Sequence, residues 1–416
     1  MRILTGGYTA DMGGVGEGIG EVVAGARDDV LAGGQLRFSG TVAPAQSPSW
    51  VTKHPTLDIV YAALEGRGVV QAFRRVGETA FVELGRPIEA GEMTCHVAVA
   101  PDASELAVSC WGDGRVVRMP LDSAGVPRGR HVLASAVDPH GVGEPAGAAA
   151  PEQPESEIEQ ARQALRDAAG AEYAHLLGDE EPLPFSVSAN AADLALFEGA
   201  TQIGATETGG GEPDAAARAS RAHQVRYLPH GVVATVDMGY DLVRFWRHGA
   251  DGELRFAQEV VFPRGSGPRH TVWHPSGHLY VITELSHEVF VLAPNPMGHW
   301  RIISSLAFGA GLMTTDTAAE LAPSRDGAFL YAGVRGSNTI ATLRVDGAGE
   351  SISAVALVDA GVNWPRHHAI VRDTLLVAGQ LSDEVASLSL DDRTGIPGRV
   401  RHRVDVASPT CLVPVR

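Results

Sequence analysis

The sequence predicts an all-β fold: a seven-bladed β-propeller closed by its N- and C-terminal strands, with a partly helical insertion. Short apolar runs rich in β-branched residues alternate with turn residues, and 49 Gly and 25 Pro occur among 416 residues. A segment that enters a strand, turns and returns as a second strand recurs at anchor positions 50, 96, 223, 270, 320 and 367. The spacings are 46, 127, 47, 50 and 47, a period near 47 that corresponds to one four-stranded unit per repeat.

The elements follow in order. Residues Arg2 to Tyr8, Gly18 to Val23 and the tail Val404 to Val415 read as strands without a complete unit. Pairing the two chain ends makes a seventh blade and removes the exposed sheet edges of an open array. Six complete units lie between. Ser49-Trp50 leads to Ile59–Ala63, Cys95-His96 to Leu106–Ser109, and His223 to Val232–Val236. Arg269-His270 leads to Leu279–Ile282, Glu320 to Phe329–Ala332, and Arg366-His367 to Leu375–Ala378. The chain 1–416 is thus expected to be a single propeller. The long spacing places an insertion at 145–219. Within it Ser156 and Glu159 fit a capping box, and apolar residues from Ile158 to Leu177 keep helical periodicity, so a helix is expected over about 156–177. A linker containing Gly209-Gly210-Gly211 follows.

Composition narrows the function. The net charge of −17 argues against nucleic acid and anionic membrane surfaces as partners. No run reaches the roughly 18 apolar residues of a spanning helix, and the first residues lack the apolar core of a signal peptide. Three cysteines, Cys95, Cys110 and Cys411, are far apart and in no CxxC spacing, which suits a reducing compartment; a cytoplasmic protein is expected. Lys53 is the sole lysine among 33 basic residues, so an anion site here would use forked guanidinium groups.

The hairpin logic says where such a site would lie. The start of each first strand and the end of each second strand meet at one end of the blade. Ser49, His96, His223, Arg269, His270, Glu320, Arg366 and His367 therefore share a face with Glu65, Trp111, Met238, Glu284, Arg335 and Gln380. First strands line the central channel, so these side chains are expected to converge on one mouth. Arginines beside histidines and carboxylates suit an anionic substrate and acid–base chemistry. There is no G-x-S-x-G elbow, no H-E-x-x-H, no phosphate-binding G-x-x-x-x-G-K-[ST] loop and no compact set of metal ligands.

Several stretches carry a family likeness: Gly265-Ser266-Gly267-Pro268-Arg269-His270, His274-Pro275-Ser276-Gly277, Glu284-Leu285-Ser286, Ala222-His223, Ala319-Glu320, Val334-Arg335-Gly336-Ser337-Asn338 and Pro365-Arg366-His367. Gly7-Tyr8-Thr9 and Pro409-Thr410-Cys411 match at the two ends. Over about 1–143 and 220–416 the chain resembles the seven-bladed lactonase family of propeller-type 6-phosphogluconolactonases, whose fungal relatives include carboxymuconate cyclases. The resemblance implies a lactonase without cofactor or metal, acting on a small anionic lactone. It implies His223 and Glu284 as acid–base candidates and Arg269, Arg335 and Arg366 as anion-binding arginines; of these, Arg269 is expected to stabilise the developing oxyanion. His270, His367, Glu320, His96 and Glu65 are expected to bind substrate at the same mouth. Departures include Arg221 where the family often has His, Thr283 before the glutamate and Val334 before the arginine. A lactonizing cycloisomerase and a non-catalytic propeller scaffold docking partners through 145–219 are the alternatives, and no oligomeric state is implied.

Overall fold

The computed structural model describes residues 1–141, 218–308 and 311–415. These form seven four-stranded antiparallel sheets. Blade 1 holds β1 (Arg2–Gly7), β2 (Gly18–Ala24) and β3 (Leu36–Pro44); blade 2 holds β4 (Pro48–Lys53), β5 (Ile59–Leu64), β6 (Val69–Val76) and β7 (Ala80–Glu89). Blade 3 comprises β8 (Thr94–Val99), β9 (Glu105–Cys110), β10 (Val116–Pro120) and a two-residue outer strand, β11 (His131–Val132). After the insertion come blade 4, with β12 (Ala222–Leu228), β13 (Val232–Asp237), β14 (Leu242–His248) and β15 (Leu254–Val261), and blade 5, with β16 (Pro268–Trp273), β17 (Leu279–Thr283), β18 (Glu288–Pro294) and β19 (Trp300–Ala307). Blade 6 has β20 (Thr317–Pro323), β21 (Phe329–Arg335), β22 (Thr339–Asp346) and β23 (Ser351–Asp359); blade 7 has β24 (Pro365–Val371), β25 (Thr374–Gly379), β26 (Glu384–Leu390) and β27 (Pro397–Asp405).

The last strand, β28 (Pro409–Val415), returns to blade 1 as its innermost strand and pairs antiparallel with β1 from Arg2↔Val415 to Gly7↔Pro409. The expected closure by both chain ends is present, with one correction: the tail is two strands. Val404 and Asp405 finish the outer strand of blade 7, and the chain then crosses through Val406–Ser408 to start β28. The expected helix over 156–177, and nearly all of 145–219, lie outside the described residues.

Strand sequences follow from position in the blade. The second strands are buried along their whole length, as in Ile59-Val60-Tyr61-Ala62-Ala63-Leu64, because each face packs on a neighbouring blade. Outer strands such as β27 alternate between half-buried and exposed residues. Seven apolar clusters fill the seven blade-to-blade interfaces, for example Ile3, Val22, Leu376 and Leu412 between blades 7 and 1. Among the described residues the smallest lies between blades 3 and 4, around Ala107, Val225, Val233, Trp246 and Leu254. There buried Glu105 adds a polar staple: it pairs with Arg118 and accepts from the Tyr227 hydroxyl at 3.1 Å and His248 Nε2 at 3.0 Å.

Candidate active site

Every innermost strand slips register at the same end. The breaks fall between Pro48 and Trp50, Thr94 and His96, Ala222 and Val225, Pro268 and His270, Ala318 and Leu321, and Pro365 and His367, and opposite Gly6/Gly7 on β28. A β-bulge leaves a residue out of the ladder and re-aims its side chain. Six bulged residues, Ser49, Cys95, His223, Arg269, Arg366 and Thr410, line one pocket at the channel mouth together with Trp50 and His270. The second-strand ends then close over this ring.

Glu284 follows β17 and lies between two arginines: its Oε2 is 2.7 Å from Arg269 Nε and its Oε1 is 2.9 Å from Arg335 Nη2. Burial pushes its carboxyl up, but Arg335 and Arg269 outweigh that and hold it below the ordinary carboxylate range. Arg335 Nη2 also donates to the Ala318 carbonyl at 3.0 Å. Arg269 is held in place because Asp241 accepts the N–H groups of Gly265 and Gly267, both at 2.8 Å, and so shapes the loop that leads into Pro268-Arg269. Burial brings Arg269 down to about 10, which leaves it cationic at neutral pH. Its Nη1 is buried without a partner among the described residues, a donor available to an anion.

A second carboxylate sits across the mouth. Glu65, 4% exposed, accepts the Tyr8 hydroxyl at 3.1 and 3.2 Å, and Arg366 Nη2 donates to the same hydroxyl at 2.7 Å. Burial raises Glu65 against the opposing pull of Arg366 and the neighbouring hydroxyls. Tyr8 was not among the expected site residues. It follows β1 and occupies in blade 1 the slot that Glu65 and Glu284 occupy in theirs. Its signal is the same position after a second strand, hidden because the first strand of that blade comes from the other end of the chain.

The expected residues divide into two layers. His223, Arg269, His270, Arg335, Arg366, Glu65 and Glu284 gather at the mouth. His96, Glu320 and His367 lie one layer below, beside Trp50, on the wall of a cavity of about 420 Å³ that continues down the channel past Thr52 and Arg226. Trp50 packs on three imidazoles, with ring centroids 4.3 Å from His96, 5.5 Å from His270 and 5.3 Å from His367. Burial, reinforced by the nearby guanidiniums, holds His223, His270 and His96 well below the usual imidazole range, and burial brings His367 to about 4. Such imidazoles are neutral at pH 7 and able to accept a proton. Of the other second-strand ends, Trp111 stacks on Arg221 at 4.3 Å and Gln380 accepts from Arg366 at 3.4 Å. Among the described residues no group of three or more His, Cys, Asp or Glu is arranged to hold a metal ion.

Comparison with known proteins accords with this geometry. Residues 2–149 and 186–414 match the family described as lactonase, 7-bladed beta-propeller. The chain belongs to that family. Over 198 residues it is 31% identical to the 6-phosphogluconolactonase of Bacillus subtilis, a match covering 46% of this chain and 56% of that protein. The matched stretch thus spans just over half the length of that relative. The fold is shared with the periplasmic gluconolactonase of Pseudomonas aeruginosa, at a TM-score of 0.72 and 21% identity over 100% of this chain and 99% of that one. A Lactobacillus plantarum protein superposes at a TM-score of 0.71, with 18% identity over 99% and 98% of the two chains.

Proposed function

We propose that this lactonase-family protein hydrolyses an acidic sugar lactone of the 6-phosphogluconolactone type, with no cofactor, in the cytoplasm. One observation carries the reading: the buried, unpartnered guanidinium Nη1 of Arg269 stands in the same pocket as Arg366 and the neutral imidazole of His223. Arg366 and Arg335 attract the carboxylate or phosphate of the substrate, and Arg269 stabilises the oxyanion that forms as water adds to the ring carbonyl.

Of the two expected proton acceptors the geometry favours His223. Glu284 has each oxygen within ion-pair distance of a guanidinium nitrogen, and a carboxylate so stabilised is a weak base. Its work is to hold Arg269 and Arg335. His223 is depressed as well, by burial and the nearby guanidiniums, but its Nδ1 is free of hydrogen-bond partners among the described residues and its ring lines the pocket. A general base of this kind contributes about 10²- to 10⁴-fold to the rate. The test is a panel of sugar-acid lactones scored by proton release, with wild type, His223→Ala and Arg269→Gln. Hydrolysis by wild type, with kcat lowered about 100-fold or more in both variants, is expected. Inertness of the wild type toward the whole panel would turn the reading to a non-catalytic scaffold.

A further inference from the structure

The wall between mouth and lower cavity holds a carboxylate that the mechanism above leaves unused. His367 Nδ1 accepts the Leu412 backbone N–H at 3.2 Å, so the proton of this neutral ring sits on Nε2, 3.2 Å from Glu320 Oε2. The same oxygen lies 2.9 Å from His270 Nδ1. A carboxylate there keeps the His270 proton on Nδ1 and leaves Nε2 bare. That Nε2 is buried and has no partner among the described residues. The His270 ring lines the mouth pocket, and its centroid is 5.1 Å from that of His223.

Charge decides what this arrangement does. The groups facing the His223–His270 pair are the guanidiniums of Arg269, Arg366 and Arg226, the Glu284 carboxylate, and the His96 and His367 rings. Three cations oppose an imidazolium. Glu284 is neutralised by Arg269 and Arg335, and Glu65 is tied to Arg366 through Tyr8. Among the described residues Glu320 forms ion pairs with imidazoles alone, and its charge also offsets the nearby Arg226 guanidinium. We propose that Glu320 is the positioning residue for proton abstraction. It holds His270 with a bare Nε2 beside His223, and its charge stabilises the imidazolium formed when this pair takes a proton from water. His367 steadies Glu320 from the far side.

The proposal rests on the lactonase reading, and its step balances. One O–H bond of water breaks and its proton goes to the imidazole pair, while the oxygen bonds to the carbonyl carbon and the π electrons move to the carbonyl oxygen beside Arg269. Collapse breaks the bond from that carbon to the ring oxygen, which takes the proton back as a new hydroxyl. The acid so formed ionises in solution.

Two measurements test it. In Glu320→Gln the expected result is a 10- to 100-fold lower kcat with KM within about twofold, and an acid limb of the pH–kcat profile moved to lower pH, because an imidazole without its counter-charge protonates less readily. A Glu320→Asp variant is expected to recover part of the lost kcat. Nitrogen-15 resonance of the histidines in the resting wild type, which needs no variant to fold, is expected to show the His270 proton on Nδ1. A folded Glu320→Gln with wild-type kcat and pH profile, or a His270 proton on Nε2, overturns the assignment while the lactonase reading stands. A wild type inert on every acidic lactone overturns both.

Discussion

At the scale of single residues, Glu284 shows how composition alone misleads about role. A half-buried glutamate at a channel mouth invites assignment as an acid or base, yet two guanidiniums flank its oxygens. Replacing it by Gln leaves Arg269 and Arg335 without a counter-charge, and removing one partner of a buried pair costs about 3 kcal/mol or more. We therefore expect Glu284→Gln to melt well below wild type at pH 7. Its folded-state pKa is depressed, so this stabilisation is complete above the ordinary value of 4.5 and fades as pH falls through the lower folded value. Thermal melts of the two proteins are expected to converge only once pH falls below that depressed folded value; a gap that persists there would mean the loss is steric. Gly6 is a second such position. A Cβ there would stand 2.3 Å from the Pro48 carbonyl oxygen, so Gly6→Ala is expected to destabilise the junction of blades 1 and 2 by about 1–3 kcal/mol, read as a lower urea midpoint.

At the scale of elements, the repeated bulge is what turns a ring of innermost strands into a site. A regular first strand would point only alternate residues at the channel; the slip adds one more side chain per blade at the mouth. Ring closure depends on β28 in the same way. Deleting 409–416 strips blade 1 of its inner strand and bares the edge of β1, so loss of the cooperative melt and aggregation are expected. A monodisperse truncated protein with a sharp transition would show the ring tolerates an open blade. Among the described residues the seam between blades 3 and 4 has the smallest apolar cluster, and Glu105 ties it with polar contacts. Glu105→Ala takes the acceptor from the Tyr227 hydroxyl and His248 and leaves Arg118 with Glu253 alone, so a cost of about 1–3 kcal/mol is expected, with hydrogen exchange rising first in β9, β10 and β12.

At the scale of the whole molecule, a core of neutral histidines sets the response to acid. His96, His223, His270, His367 and His368 are all buried, and burial holds each below the ordinary value of 6.5. The unfolded chain takes up these protons near pH 6.5 while the folded one does not, so stability is complete above that value and falls on acidification toward about 4. Each histidine adds up to about 1.4 kcal/mol per pH unit to that slope. The melting temperature is expected to drop steeply between pH 6.5 and 5; a flat profile across that interval would contradict neutral burial.

The sequence alone determined the repeat, the closure by both ends and the two slots per blade that face the mouth. These are local features: a strand buried on both faces must be apolar throughout, and a period near 47 residues repeats that demand around the ring. Partnerships were left to the tertiary structure. Whether Glu284 meets Arg269 in its own blade and Arg335 in the next, whether Tyr8 completes the ring beside Glu65, and whether Glu320 holds His270 and His367 depend on contacts near 3 Å, most of them between different blades. Bulge offsets and blade packing set those distances, and charge neutralisation, hence basicity, follows from them rather than from residue type.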